Sequence, residues 1–148
     1  MADAIATNKK AYRDYFLSDF RECGISLEGG EVKSIREGHV NFGDSFATID
    51  KGEVYLYNLH IEPYLQASYM NQTPDRVRKL LLHKREINKL LGLTAGKAIV
   101  LVPTKIYFNK RGLVKVELAI GKGKKQYDKR EAIQKREVDR KISRRLHS

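Results

Sequence analysis

Between Leu113 and Ile120 every second residue is apolar: Val114, Val116, Leu118 and Ile120. A period of two places these side chains on one face of a strand. Such a face needs a sheet around it and a core to cover it. The run Ala98–Phe108 before it is also strand-like, and Asn109-Lys110-Arg111-Gly112 between them has turn composition, so the two form a hairpin. A second hairpin is expected from Ser45–Ile49 and Glu53–Tyr57 across Asp50-Lys51-Gly52. In its second strand Val54 and Leu56 share one face, and Tyr55 and Tyr57 the other.

The rest of the chain is arranged around these hairpins. Met1–Asn8 reads as a loose lead-in. Tyr15, Phe16, Leu17, Phe20, Ile25 and Leu27 suggest a strand with a bend at Gly24, broken by Gly29-Gly30. Glu31–Glu37 reads as a short helix, with Val32 and Ile35 on one face and Glu31, Lys33, Ser34 and Arg36 open to solvent or a partner. His60–Asp75, punctuated by Pro63 and Pro74, is a connection with room for one short strand. Lys79–Leu82 is compatible with a strand or a first helical turn, and Lys84–Leu91 with a helix stopped by Gly92. Helices are too few for alternating βαβ units. The expected fold is mainly β: a closed, antiparallel barrel of the OB type, with two or three short flanking helices.

Charge divides the chain. Residues 121–148 hold 11 Lys/Arg against 4 Asp/Glu, a net of +7 out of +11 for the whole sequence. The expected division is therefore a folded domain over 1–120 and a basic tail over 121–148. The tail is too poor in apolar residues to offset its ordering entropy, so it is expected to be disordered when free and helical when docked on a polyanion. Asp128 and Glu131 have capping-box spacing, and Glu131–Lys135 and Glu137–Lys141 are four-residue ion pairs. Gly121-Lys122-Gly123-Lys124-Lys125 sets cations on flexible backbone, suited to phosphates. Tyr127, the only aromatic of the tail, lies among Lys125, Lys129 and Arg130, a setting for base stacking.

Several classes are disfavoured. No apolar run is long enough to span a membrane, and Met1–Lys10 has no apolar signal core. Cys23 stands alone, fits a reducing cytoplasm, and reads as a packing residue. The four histidines are scattered without metal-ligand spacing, and no nucleophile elbow or phosphate loop is present. Catalytic residues, metals and cofactors are therefore not expected. Tyr55 and Tyr57 read as barrel packing, with RNA stacking as the alternative. Glu31 has two readings: an acceptor of base or ribose hydrogen bonds that could also orient an arginine, or a carboxylate meeting a helix dipole.

Three stretches go further. They are Glu31-Val32-Lys33-Ser34-Ile35-Arg36 with Gly38 and Asn41 to Phe46; Arg78 to Ile87; and Gly123-Lys124-Lys125-Gln126-Tyr127-Asp128-Lys129-Arg130. In this order and spacing, and with Ile5, Ala6, Asn8, Lys9, Ala11 and Tyr15, the chain resembles the SsrA-binding protein (SmpB) family over nearly its whole length. The resemblance implies an OB-fold monomer in the bacterial cytoplasm, with no enzymatic activity. It would bind the tRNA-like domain of transfer-messenger RNA (tmRNA) and deliver it to ribosomes stalled on mRNA without a stop codon. Elongation factor Tu and alanyl-tRNA synthetase would be partners indirectly, through that RNA. By the same resemblance, Asn8, Glu31, Lys33, Arg36, Asn41, Leu91 and Lys124 contact the RNA. Lys125, Tyr127, Asp128, Lys129 and Arg130 serve the decoding centre and empty mRNA channel. Departures are Gly30, where members often carry a bulkier residue, and Phe46, where Tyr is usual. The alternative class is a basic ribosomal or ribosome-associated structural protein with an OB fold.

Overall fold

The computed structural model describes residues 4–64, 73–95 and 99–124. In order these form β1 (Ala6–Thr7), α1 (Lys9–Asp14), β2 (Tyr15–Ile25), α2 (Gly29–Arg36), β3 (Val40–Asn41), β4 (Phe46–Asp50), β5 (Glu53–Tyr57), β6 (His60–Ile61), β7 (Arg78–Leu81), α3 (Lys84–Leu93), β8 (Ile99–Phe108) and β9 (Val114–Gly123). The protein is mainly β, and every strand pairing is antiparallel. The main sheet runs β1-β8-β4-β5-β7-β2-β9, with a further β8–β9 pairing that joins β9 back to β8. β3 and β6 make a separate two-stranded ladder.

Both hairpins form where the alternation placed them. The β4–β5 turn is Lys51-Gly52, with φ of 51° and 77°. Two positive φ values give the type I′ geometry that matches the twist of paired strands. Val54 and Leu56 are fully buried, as are Val116 and Leu118 from the second hairpin; Ile35 of α2 and Leu90 of α3 cover the same core. Tyr55 and Tyr57 point the other way and are half-buried. Tyr57 stacks on Phe46 with ring centroids 5.4 Å apart, so the packing expected of it takes place away from the core.

Four local expectations are corrected. The irregularity of β2 is not at Gly24 but between Ser18 and Arg21, where Asp19 takes a φ of 52°. Gly24 is regular strand, wedged between Leu81 and Lys115. Residues 6–14, read in part as a lead-in, hold β1 and the six-residue α1, which is too short to show an apolar period. Gly29-Gly30 does not end structure; it opens α2. Gly121-Lys122-Gly123 is not flexible backbone: β9 continues through it, paired with Leu17, Phe16 and Tyr15. The ambiguity at Lys79–Leu82 resolves to strand, and Gly92 lies inside α3, which closes at Thr94.

Candidate nucleic-acid interface

α2 starts at a capping box: Oε1 of Glu31 accepts the Glu28 N–H at 2.9 Å while the Glu28 side chain caps in return. This turns Glu31 inward, where it is only 3 % exposed. Here it meets two arginines from the β7 region. Arg76 Nε donates to Oε1 at 3.1 Å and to Oε2 at 3.2 Å, and its Nη2 also reaches Oε1. Arg78 Nε donates to Oε2 at 2.7 Å. Arg78 Nη2 also lies 2.5 Å from Oε2 and donates to Pro74 O at 2.8 Å, while Nη1 donates to Leu59 O at 2.6 Å.

The electrostatics follow from this geometry. Burial pushes the Glu31 carboxyl up, but hydrogen bonds from Arg76, the Glu28 amide and Arg78 outweigh it and hold it below its ordinary value. Burial pulls Arg78 down against the opposing pull of Glu31. A guanidinium starts so high that it stays protonated. The cluster is thus one carboxylate between two cations. The expectation that Glu31 and Ser34 face a partner is corrected: Ser34 is also buried, donating to Glu62 O at 2.6 Å.

The other site residues divide by position. Lys33 and Arg36 are exposed, three apart on α2, and each lies over an aromatic ring: Lys33 Nζ 5.4 Å from the Tyr64 centroid, Arg36 5.1 Å from that of Phe108. Asn41 is exposed and accepts the Gly43 N–H at 2.9 Å. Asn8 is buried and committed to the fold, its amide donating to Pro103 O at 2.7 Å and its oxygen capping α1 at the Ala11 N–H. Asn8 and Asn41 line one shallow depression with Lys9, Lys10 and Gly43. Lys124 lies elsewhere, beside α1, donating to Tyr12 O at 3.2 Å and sitting 5.2 Å above the Phe16 ring. Leu91 is 54 % exposed on α3. Lys125, Tyr127, Asp128, Lys129 and Arg130 lie outside the described residues, as does the expected tail helix.

Arg76 and the two ring seats, Tyr64 and Phe108, were not picked out from the sequence. No spacing ties them to α2; the nearest signal was the Arg78 motif two residues on. Burial pushes the Cys23 thiol up to about 12, as fits a packing residue. No group of three metal-binding side chains occurs among the described residues, and no helix there is long and apolar enough to cross a membrane.

Fixed cations on aromatic seats, on a basic antiparallel β body, define a protein suited to holding a polyanion. The family model described as SmpB protein matches residues 5–148, and the chain belongs to that family. Curated relatives called SsrA-binding protein include that of Caldicellulosiruptor bescii, 57 % identical over 96 % of this chain and 89 % of its own. Another, from Thermosipho melanesiensis, is 57 % identical over 93 % of this chain and 94 % of its own. A solved chain from "tmRNA-SmpB: a journey to the center of the bacterial ribosome" superposes with a TM-score of 0.69 at 51 % identity, over 80 % of this chain and 83 % of that one.

Proposed function

We infer that this protein is the RNA-binding adaptor of trans-translation. It binds the tRNA-like domain of tmRNA and brings it to ribosomes stalled on mRNA that lacks a stop codon. The observation that carries this is the family match over residues 5–148, whose relatives are named for binding SsrA and whose solved neighbour pairs SmpB with tmRNA and the bacterial ribosome. The exposed cations of α2 support it, because phosphate contacts supply a large share of the affinity of protein–nucleic acid complexes.

The finer points belong to the same proposal. The return of β9 to β8 supports a closed barrel of the OB type, which leaves few sheet edges. The RNA-binding body would run past the expected boundary at 120, because β9 continues to Gly123, and the tail would follow it, with Lys124 at the junction. Lys33, Arg36, Asn41, Leu91 and Lys124 would contact the RNA, while the buried Asn8 and Glu31 would shape the surface from behind. Lys125, Tyr127, Asp128, Lys129 and Arg130 would act in the decoding centre and mRNA channel. The role is that of a cytoplasmic adaptor without chemistry of its own.

The test is to sequence RNA that co-purifies with the tagged protein from cells with stalled ribosomes. Enrichment of one tRNA-like RNA is expected; ribosomal RNA alone would support a structural ribosomal protein instead. Truncation after Lys125 should leave binding to the isolated RNA nearly whole and abolish rescue. Loss of that binding would overturn the division of labour.

A further inference from the structure

Glu31 cannot itself be a hydrogen-bond acceptor for RNA in this fold. Its carboxylate is 3 % exposed, and both oxygens are already taken, by the Glu28 amide, Arg76 and Arg78. Arg78 is closed off as well, fully buried and with its fork spent on Glu31 and backbone carbonyls. Arg76 is different. Its side chain is 25 % exposed. Glu31 holds it along the Nε–Nη2 edge, and Ser26 O takes a further contact from Nη2 at 3.3 Å. Among the described residues the remaining nitrogen, Nη1, reaches only Val77 O at 3.5 Å, the outer limit of a hydrogen bond.

We propose that Arg76 is an RNA-phosphate contact of this surface and that Glu31 is its positioning residue, with Arg78 the buried cation that keeps Glu31 in place. This rests on the RNA-binding role proposed above. A guanidinium clamped on one edge loses its rotamer freedom before the ligand arrives, so its free edge meets a phosphate at a lower entropic cost. Phosphate is the ligand chemistry because the free edge is a pure donor with a full charge. The acidic residue in a basic surface thereby serves the cation beside it.

The experiment measures affinity for a transcribed tRNA-like fragment of tmRNA from about 50 to 200 mM salt, where each phosphate contact adds about 0.7–0.9 to the log–log slope. The full-length chain is compared with Arg76→Ala, Arg76→Lys, Glu31→Gln and the double variant Glu31→Gln/Arg76→Ala. Arg76→Ala is expected to weaken binding and lower the slope by about one contact. Arg76→Lys, which keeps the charge and guards against a folding artefact, is expected to keep the slope with a weaker affinity. Glu31→Gln is expected to weaken binding at an unchanged slope, and to add nothing once Arg76 is gone. An unchanged slope in Arg76→Ala, or a full further loss in the double variant, overturns the proposal. Absence of binding by the unmutated chain would instead overturn the RNA-binding role itself.

Discussion

Arg78 donates through Nε to Oε2 of Glu31 at 2.7 Å, and water reaches neither: the arginine side chain is 0 % exposed and the glutamate 3 %. Removing one member of a buried pair leaves an uncompensated charge, which costs about 3–5 kcal/mol. Glu31→Ala should therefore destabilise the fold by that order, seen as a lower urea midpoint. Glu31→Gln, which keeps acceptor oxygen, should cost less, about 1–3 kcal/mol. Equal stability of Glu31→Ala and the unmutated protein would show that the pair is not the one described.

The same cluster sets an acid limit. Glu31 is held below its ordinary value of 4.5, so in acid the unfolded chain binds a proton that the folded chain refuses. Stability from this group is full above that ordinary value and is lost as pH falls through the lower, folded one. Urea midpoints of the native protein should fall as the pH drops below this value. Glu31→Gln should show a shallower fall, and parallel curves would remove Glu31 from the account.

Two glycines should respond with opposite signs. A Cβ on Gly24 would lie 3.1 Å from Leu81 Cβ, on the paired strand, whereas one on Gly29 meets nothing within 4 Å. Gly24→Ala is expected to lower stability by about 1–3 kcal/mol through overpacking. Gly29→Ala, at the open first turn of α2, is expected to raise it by about 0.4–1 kcal/mol by narrowing the unfolded ensemble. Thermal melts of both variants test the contrast; the same sign in both would contradict it.

Cys23 is buried and its thiol is raised to about 12. Little thiolate forms near pH 8, and the thiolate is the reactive species. Labelling by an aromatic disulfide reagent should be slow in the native protein and fast in denaturant. Rapid native labelling would place Cys23 at the surface.

What the sequence could reveal depended on distance along the chain. The Val114–Ile120 alternation and the Asp50-Lys51-Gly52 turn are local patterns, and β9 and the β4–β5 hairpin follow them closely. Glu31 was ambiguous because its partners lie 45 and 47 positions away, beyond any periodicity. For the same reason the open face expected for Ser34 became a buried contact with Glu62. α1 escaped notice because one short turn is specified by a cap, Asn8, and by packing of Ala11, not by a repeat. The contacts of the α2 cations were legible only as charge; their aromatic seats are set by tertiary structure.

One of the two neighbours of β2 is β9, which follows it far along the chain, and the register sets Tyr15 against Gly123. As the chain leaves a ribosome, β2 must therefore wait with one edge unpaired until β9 has been synthesised. Closing so large a loop delays folding, and the unpaired strand is meanwhile exposed to wrong partners. The body of this protein is thus completed only once β9 has been made, and a nascent chain cut short before β9 cannot finish it.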